Sequence, residues 1–240
     1  MGKKWLDIVY QEKNSTKLKE HYKDWAGEYD KDLNEWGYAY PRELKKILLN
    51  KIRINKSTKI LDAGCGTGYV AETLKDLNFS NIIGLDYSQD MLNVARKKKI
   101  YKSLIKQSLN RKTNLRSNQF NLVLCTGVLT SGHVGPVAIK ELIRLTKNKS
   151  YLILSISEAI YEKLGFKKEI ETIVRLKVEK MINKNTKAMC IPNLMGNYPN
   201  WENLRKIANK YNLLILEDSA DIIGAKYKNC LLYTSPSPRD

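Results

Sequence analysis

The residues with the clearest chemical potential in this 240-residue chain are the glycines of ILDAGCGTGYV, residues 60–70. An apolar run leads into Asp62 and is followed by glycines at alternate positions, Gly64, Gly66 and Gly68. Glycines at this spacing let the main chain turn sharply and approach a ligand with no Cβ in the way. Free N–H groups at the start of the following helix can hold a polar ligand group. The segment therefore predicts a ligand-binding turn between a strand and a helix.

The spacing of these glycines argues against a dinucleotide site. In the dinucleotide fingerprint the third glycine follows a two-residue gap, whereas the pattern here is G-x-G-x-G. Asp62 lies two positions before Gly64, and a carboxylate there repels a pyrophosphate but suits a ligand with an ammonium group. An NAD-dependent oxidoreductase is thus disfavoured.

A second acidic anchor lies in IIGLDYSQDML, residues 82–92, where Asp86 ends the next predicted strand. A carboxylate at such a strand end can accept hydrogen bonds from both hydroxyls of a ribose. Tyr87 and Met91 follow at positions from which they can pack on the faces of an adenine. Ser88 can in addition cap the helix that begins near Gln89, a structural role that is compatible with the ribose contact.

The elements that must position these residues alternate between short apolar runs and amphipathic stretches. We predict strands over 59–63, 81–86, 101–105, 120–125 and 151–156, and helices over 70–77, 91–98 and 137–146. Strands that alternate with helices indicate a parallel sheet covered on both faces, with ligands beyond the carboxyl ends of the strands. The predicted fold class is α/β, with a doubly wound, mostly parallel sheet.

The two anchors resemble motif I and the following acidic strand end of class I S-adenosylmethionine-dependent methyltransferases. HYKDWAGEYDKDLNEWGYAYP, residues 21–41, is similar to the N-terminal cover of a small methyltransferase-like family with a WA-x-x-YD core. FNLVLCTGVLTSGHVGPVAIKELIRLTK, residues 120–147, resembles the fourth strand, loop and next helix of that family. The resemblance spans about residues 18–172, and it implies a seven-stranded-type sheet and S-adenosyl-L-methionine as the cofactor.

The resemblance also implies roles for individual residues. Asp62 and the three glycines would form the loop at the methionine end, and Asp86 would hold the ribose. The other implied contacts are Tyr87 and Met91 beside the adenine, Ser108 at the position that reads the adenine amine, Thr126 and Gly127 below the sulfonium, and Trp25 and Tyr29 as an aromatic lid. Ser108 departs from the usual acidic residue, although a hydroxyl can accept the same hydrogen bond. The lid would gain cation–π attraction, and ordinary helix packing is its alternative.

His133, in TSGHVGP after the fourth predicted strand, is the candidate substrate contact or general base. Methyl transfer mainly requires alignment and exclusion of water, and it needs a base only if the nucleophile begins protonated. A loop hydrogen bond is the alternative role for His133. The absence of an Asn-Pro-Pro-aromatic segment after that strand argues against amino methylation of adenine in nucleic acid. We therefore expect a small-molecule substrate.

Net charge and cysteine spacing limit which partners, compartment and metal sites the protein can have. The formal net charge of +17 makes nucleic acid an alternative partner, but the excess lies in scattered lysines, whereas specific readers favour arginine. Cys65, Cys125, Cys190 and Cys230 are far apart, which indicates free thiols in a reducing, cytoplasmic compartment and no metal site. No apolar run reaches about 18 residues, so no membrane span is predicted. The oligomeric state is left open.

Residues 178–229 resemble a different family, the DegT-type pyridoxal-phosphate enzymes that act on nucleotide-linked keto-sugars. The similarity lies in NTKAMCIPNLMGN, residues 185–197, and in LLILEDSAD, residues 213–221. In that family the aspartate at the position of Asp218 pairs with the pyridine nitrogen of the cofactor. The Schiff-base lysine of the family has no counterpart here, and about fifty residues cannot form that pocket.

We therefore expect a hybrid chain. Its predicted parts are an N-terminal helical cover over 1–56, a cofactor-binding methyltransferase domain over 57–175, an aminotransferase-like fragment over 176–230, and a disordered tail over 231–240. The alternative is that the fragment supplies the last strands of the methyltransferase sheet. Without such strands the strand at 151–156 is an exposed edge, which predicts marginal stability.

The leading functional hypothesis is a methyltransferase for a small-molecule acceptor. An RNA methyltransferase and a cofactor-binding module without catalysis are the alternatives. A fragment of a keto-sugar aminotransferase or dehydratase is disfavoured, because its pocket is incomplete.

Overall fold

The computed structural model describes residues 5, 8–9, 11–12, 14–50, 52–192, 200–218, 226–227 and 230–231. Contacts divide the chain into two compact units, Met1–Ile170 and Glu171–Asp240. No helix within the described ranges has the length and apolar character to cross a membrane. The predicted domain boundaries stay a prediction, and the predicted tail, apart from Leu231, lies outside the described residues.

Within residues 14–50 the first unit has three helices, α1 (Ser15–Trp25), α2 (Tyr29–Glu35) and α3 (Tyr40–Asn50). The side chain of Asn14 caps α1 by accepting from the N–H groups of Thr16 and Lys17. These helices bury apolar side chains because α1 and α3 carry them at helical spacing. The buried positions are Leu18 and Trp25 in α1, Leu33 in α2, and Leu44 and Leu48 in α3.

A five-stranded parallel sheet forms the centre of the first unit. Its strands are β1 (Ile60–Ala63), β2 (Ile82–Asp86), β3 (Ser103–Lys106), β4 (Phe120–Leu129) and β5 (Thr146–Ile156). The strand order is β3-β2-β1-β4-β5, and every neighbouring pair is parallel. The order changes direction between β1 and β4, where the doubly wound fold opens a crevice at the carboxyl ends of the strands. The predicted α/β class with a doubly wound, parallel sheet is confirmed, and within the described residues this sheet has five strands where the resemblance implied a seven-stranded type.

Helices follow the strands, as the alternating pattern predicts. They are α4 (Tyr69–Thr73), α5 (Gln89–Lys97), α6 (Val137–Leu145) and α7 (Glu158–Tyr161). The predicted helix over 70–77 is interrupted, because α4 ends at Thr73 and a short 3-10 turn over Lys75–Leu77 follows. Asn78, with a φ of 54°, then takes the left-handed conformation that terminates the segment.

The fourth and fifth strands are longer than predicted. β4 continues to Leu129, and its register against β5 shifts between Cys125 and Leu129. Gly127 lies in that interval with a φ of 73°, a value that few side chains tolerate. The bulge allows β4 to extend beyond the apolar run that marks it in the sequence.

The buried core lies on both faces of the central strands. All residues of β1 and β2 are buried, as expected of strands covered on both sides by helices. One cluster joins α3 to the sheet through Leu44, Leu48, Ile60, Leu74, Ile82, Leu122 and Leu124. This packing holds the first residues of β1 and β2, and the predicted ligand loops follow the opposite ends of these strands.

The second unit has its own strands. The helix α8 (Phe166–Met181) contains the boundary, and β6 (Ala188–Pro192), α9 (Trp201–Tyr211), β7 (Leu214–Asp218), β8 (Lys226–Tyr227) and β9 (Cys230–Leu231) follow. β6 and β7 form a separate parallel pair, and α9 packs Ile207 and Ala208 against Met189. The alternative that this segment supplies the last strands of the methyltransferase sheet stays a prediction.

Candidate functional site

A cavity of about 410 Å³ opens at the carboxyl end of the sheet in the first unit. Its volume is in the range of small-molecule sites. The cavity is lined by residues from α1 and α2, from the turns after β1, β2 and β3, and from the end of β4 with its following loop. The crevice predicted from the strand order is thus present and is covered by the N-terminal helices.

The three glycines of the turn after β1 have different tasks. Gly64, Gly66 and Gly68 have φ values of 82°, 53° and 81°, in the left-handed region where glycine is favoured. A Cβ at Gly64 would overlap the side chain of Val128, whereas one at Gly66 would meet no atom within 4 Å. A Cβ at Gly68 would lie 2.9 Å from the ring of Tyr101. Gly64 and Gly66 line the cavity, and Gly68 instead permits close packing where α4 begins.

Asp86 ties the end of β2 to the glycine turn. Its Oδ2 accepts from the N–H of Gly66 at 2.9 Å, and its Oδ1 accepts from the N–H of Ser88 at 2.8 Å. Burial raises the pKa of Asp86, and the hydrogen bonds from Ser88 and Gly66 act in the opposite direction. The carboxylate lines the cavity and keeps acceptor sites beyond these two bonds. The Ser88 hydroxyl also caps α5 by accepting from Met91, so the cap and the cavity position coexist.

Asp62, the other acidic anchor, is buried outside the cavity lining. It is 3% exposed, and its Oδ2 accepts from the hydroxyl of Tyr101 at 2.6 Å. Burial raises the pKa of Asp62 to about 6, although the Tyr101 hydrogen bond works against this shift. The structure therefore does not bring Asp62 to the cavity wall, where the sequence pattern predicted it.

The predicted adenine contacts Tyr87, Met91 and Ser108 all line the cavity. Within the described part of the chain the Tyr87 hydroxyl is buried without a hydrogen-bond partner, and burial raises its pKa. A buried polar atom without a partner is costly, so a ligand that pairs with Tyr87 would remove that cost. Ser108 holds its own loop by accepting from the N–H of Asn110 at 3.2 Å.

The predicted floor and lid are only partly brought together. Gly127 lines the cavity, and its N–H donates to the Ser155 hydroxyl at 3.0 Å. Thr126 lies outside the lining, where its hydroxyl is buried without a partner among the described residues. Tyr29 lines the cavity, whereas Trp25 is 1% exposed and outside the lining.

The position of Trp25 has a packing explanation. Its indole N–H donates to Asp32 at 2.7 Å, and its ring lies in a cluster with Val9 and Leu18. The centroids of the Trp25 and Tyr29 rings are 4.6 Å apart. The packing alternative therefore describes Trp25, and Tyr29 alone of this pair reaches the cavity.

His133 lines the cavity and is held from two sides. Its Nδ1 is 2.6 Å from the carbonyl oxygen of Ser131, and its Nε2 is 2.5 Å from the hydroxyl of Tyr22. Burial lowers the pKa of His133, which favours the neutral ring. The loop hydrogen bond offered as an alternative is present together with the cavity position. Sequence reasoning missed Tyr22, because nothing in the local pattern of α1 relates it to a loop 111 positions away.

A polar network fastens α2 to the glycine turn. The Thr67 hydroxyl donates to Asp30 at 2.5 Å, and Lys98, the residue that follows α5, pairs with the same carboxylate. Lys98 also pairs with Glu72 of α4 at 2.7 Å, and the Tyr69 hydroxyl donates to Asn34 at 2.7 Å. We call Thr67, Asp30, Lys98 and Glu72 the cover latch. It holds the N-terminal cover over the cavity, and the sequence carried no signal for it.

The described residues contain no group of three or more histidine, cysteine, aspartate or glutamate side chains that could hold a metal ion.

Comparison with known families separates the same two parts of the chain. Residues 61–154 match a family described as a methyltransferase domain, and residues 166–232 match the DegT/DnrJ/EryC1/StrS aminotransferase family. The human methyltransferase-like protein 27 is 36% identical over 124 residues, which is 50% of this chain and 50% of that protein. An uncharacterized protein of Methanocaldococcus jannaschii is 33% identical over 142 residues, 57% of this chain and 59% of that protein.

The C-terminal segment has a relative of another kind. The lipopolysaccharide biosynthesis protein RfbH of Salmonella typhimurium is 35% identical over 57 residues, 24% of this chain and 13% of that protein. The chain spans 50% of the human relative and 59% of the Methanocaldococcus jannaschii relative. Residues 61–154 are therefore similar to a methyltransferase domain and residues 166–232 to the DegT family, so the two predicted resemblances are confirmed.

Proposed function

We propose that this chain is an S-adenosylmethionine-dependent methyltransferase that acts on a small-molecule acceptor. The single observation that carries the proposal is the cavity in which Gly66 leaves open space beside the buried carboxylate of Asp86. Main chain without a Cβ and a carboxylate at the end of the neighbouring strand suit a nucleoside that also carries an amino-acid end.

The residues present fit this cofactor. Asp86 would accept from the ribose hydroxyls while it stays bound to the amides of Gly66 and Ser88. Met91 and the ring of Tyr87 would enclose the adenine, and the Tyr87 hydroxyl would gain the partner that it lacks. The cofactor supplies the activated methyl group when bound. The protein contributes orientation and the exclusion of water, for which the cover latch holds the N-terminal helices in place.

A small acceptor is favoured over RNA by the enclosure and charge of the cavity. α1 and α2 contribute to the cavity wall and so enclose it. Among the described lining residues the basic side chains are Lys19 and His133, which is little positive charge for a surface that binds RNA. The net charge of +17 supports the RNA alternative. Methyl incorporation into RNA, together with binding that weakens steeply with salt, would favour that alternative.

The remaining assignments belong to the same proposal. A reducing cytoplasm suits the buried free thiols of Cys65 and Cys125. The cover over 1–56 and the domain over 57–175 would carry the activity, and the fragment over 176–230 would add none. The mass of the native protein tests whether these parts occur in one continuous product.

The decisive experiment is calorimetry with S-adenosylhomocysteine, the demethylated cofactor. We expect Asp86→Ala to weaken its binding by about 1.5–3 kcal/mol, the scale of hydrogen bonds to a charged group. Because Asp86 also holds two main-chain amides, Asp86→Asn serves as a milder second variant. Asp24→Ala is the matched control, since Asp24 is exposed and outside the cavity lining.

Wild-type protein that binds neither S-adenosylmethionine nor S-adenosylhomocysteine at millimolar concentration would refute the proposed function. Binding without turnover on small-molecule or RNA fractions would favour the non-catalytic alternative.

A further inference from the structure

One wall of the cavity carries a hydrogen-bonded pair of ionisable side chains, Tyr22 of α1 and His133 of the loop after β4. The hydroxyl of Tyr22 and the Nε2 of His133 are 2.5 Å apart, and both side chains line the cavity. Their rings meet edge to face with centroids 5.4 Å apart. The pair therefore joins the N-terminal cover to the sheet at a surface that a bound molecule can reach.

The neighbours of His133 define which atom carries its proton. A carbonyl oxygen can only accept, so the contact of Nδ1 with the Ser131 carbonyl at 2.6 Å requires the proton on Nδ1. A neutral imidazole then has its lone pair on Nε2, which accepts from the Tyr22 hydroxyl. Burial lowers the pKa of His133, which keeps Nε2 available as an acceptor at neutral pH.

The wall with this pair continues from the glycine turn. Gly64 approaches Val128 so closely that a Cβ on Gly64 would overlap the Val128 side chain. Val128, Gly132 and His133 all line the cavity. A molecule placed beside the loop that follows β4 therefore lies next to the turn proposed to hold the methionine end of the cofactor.

The lining favours a flat, neutral acceptor over an ammonium compound. Lys19 contributes positive charge to the wall, and Asp86, already bound to two amides, is the carboxylate among the described lining residues. An ammonium group on the acceptor would thus meet repulsion from Lys19, and the remaining acceptor sites of Asp86 are those proposed to bind the ribose of the cofactor. The rings of Tyr22, Tyr29 and His133 instead offer surfaces on which an aromatic molecule can pack.

We propose that Tyr22 and His133 form a proton relay for a phenolic acceptor, an inference that rests on the proposed methyltransferase function. In the transfer the acceptor oxygen gains the methyl carbon, and the carbon–sulfur bond breaks with its electron pair left on sulfur. The hydroxyl proton of the acceptor passes to the oxygen of Tyr22, and the Tyr22 proton passes to Nε2 of His133. The positive charge that leaves the sulfonium therefore ends on the imidazolium.

Acidity selects a phenol over an alkyl alcohol. The ordinary pKa of a phenol is about 10 and that of an imidazole about 6.5, a gap that methyl transfer can bridge while the proton moves.

The titratable groups around the pair are Lys19 on α1, Tyr29 on α2, Asp86 at the end of β2, and Glu12. The main-chain carbonyl of Glu12 lies against Gly132, and its carboxylate accepts from the N–H of Asn14 and lies 3.6 Å from His21.

The test uses the full chain saturated with S-adenosylhomocysteine, so that no methyl transfer occurs, and 4-nitrophenol as the probe. At a pH below the pKa of free 4-nitrophenol we expect the bound probe to show the visible absorbance of its phenolate. Tyr22→Phe keeps the ring and removes the relay hydroxyl, and we expect it to reduce the phenolate signal about tenfold or more. His21→Gln is the matched control and should match the wild type, because His21 lies outside the cavity lining.

Nitrogen NMR reports the protonation state of the His133 ring, which would not change if Tyr22 and His133 had only a structural role. The chain has two histidines, so His133 is the single imidazole in the His21→Gln protein. We expect 4-nitrophenol to convert it to imidazolium, and we expect no conversion when Tyr22→Phe is added.

The outcomes separate this proposal from the one on which it rests. Normal binding of S-adenosylhomocysteine without a phenolate signal overturns the relay alone, and so does an equal signal in the Tyr22→Phe protein. Failure of the wild type to bind S-adenosylhomocysteine overturns the proposed function, and the relay with it.

Discussion

The cover latch predicts that Lys98 stabilises the first unit more than a surface lysine does. The Lys98 side chain is 12% exposed and Asp30 is 29% exposed, whereas Glu72 is 49% exposed. Removal of one partner from a fully buried pair costs about 3–5 kcal/mol. Because solvent reaches Asp30, we expect its pair with Lys98 to contribute about 1.5–2.5 kcal/mol to the free energy of unfolding. The more exposed pair of Lys98 with Glu72 adds about 0.5 kcal/mol. We expect Lys98→Met to lower the free energy of unfolding by about 2–3 kcal/mol.

Urea denaturation followed by tryptophan fluorescence measures this loss. Trp201 lies in the second unit, so a Trp201→Phe background leaves Trp5, Trp25 and Trp36 as reporters of the N-terminal cover. With a slope of about 2 kcal/mol per molar urea, the midpoint should fall by about 1–1.5 M. The loss should change little with added salt, since partly buried pairs are weakly screened.

Lys31→Met is the matched control for this experiment. Lys31 lies on α2 and pairs with Glu28 at 3.8 Å, and both side chains are more than 60% exposed. Exposed pairs of this kind contribute about 0–1 kcal/mol. The reasoning is refuted if the two lysine variants unfold at the same urea concentration, or if Lys98→Met unfolds like the wild type.

Two further predictions concern the turn after β1 and the end of that strand. Gly66→Ala should weaken S-adenosylhomocysteine binding in calorimetry, because its methyl group enters open cavity space, and it should lower the free energy of unfolding by about 1–2 kcal/mol, because alanine is strained at a φ of 53°. Gly64→Ala adds overlap with Val128 to the same backbone strain and should destabilise the fold more. Equal stability of the two alanine variants would contradict this contrast. The pKa of Asp62 is raised from 3.8 to about 6, so the folded state binds the carboxyl proton more tightly than the unfolded state does. The free energy of unfolding should therefore fall as the pH rises from about 4 to about 6. Asp62→Asn should remove this dependence, worth roughly 3 kcal/mol across the range, and denaturation curves at several pH values that keep the wild-type slope would argue against it.

Local signals accounted for most of the elements around the cavity. The apolar runs and the glycine spacing predicted strand, turn and helix at β1, and Ser88 caps α5 at the predicted place. These features depend on residues within a few positions of each other, so periodicity, capping and backbone preference carry them. The end of α4 at Thr73 and the extension of β4 to Leu129 were missed, because packing and a bulge decide them.

The placement of the two acidic anchors shows where sequence reasoning stops. Asp86 is the last residue of β2 and Asp62 the last but one of β1, and the sequence pattern treats the two carboxylates alike. In the structure Asp86 reaches the cavity, and Asp62 is instead turned to Tyr101, 39 positions along the chain. Similarly, Trp25 and Tyr29 are neighbours in one motif, yet packing against Val9 and Leu18 draws only Trp25 into the core.

By itself the sequence determined the fold class, the glycine turn after β1, the acidic residue at the end of β2 and the change of family resemblance toward the C-terminus. All of these features depend on the types and spacing of residues that are close together in the sequence. Tertiary structure alone decided the relay between Tyr22 and His133 and the latch between Thr67 and Asp30, whose partners are 111 and 37 positions apart. Contacts at such separations depend on how the cover packs against the sheet, which no local pattern of residue types encodes.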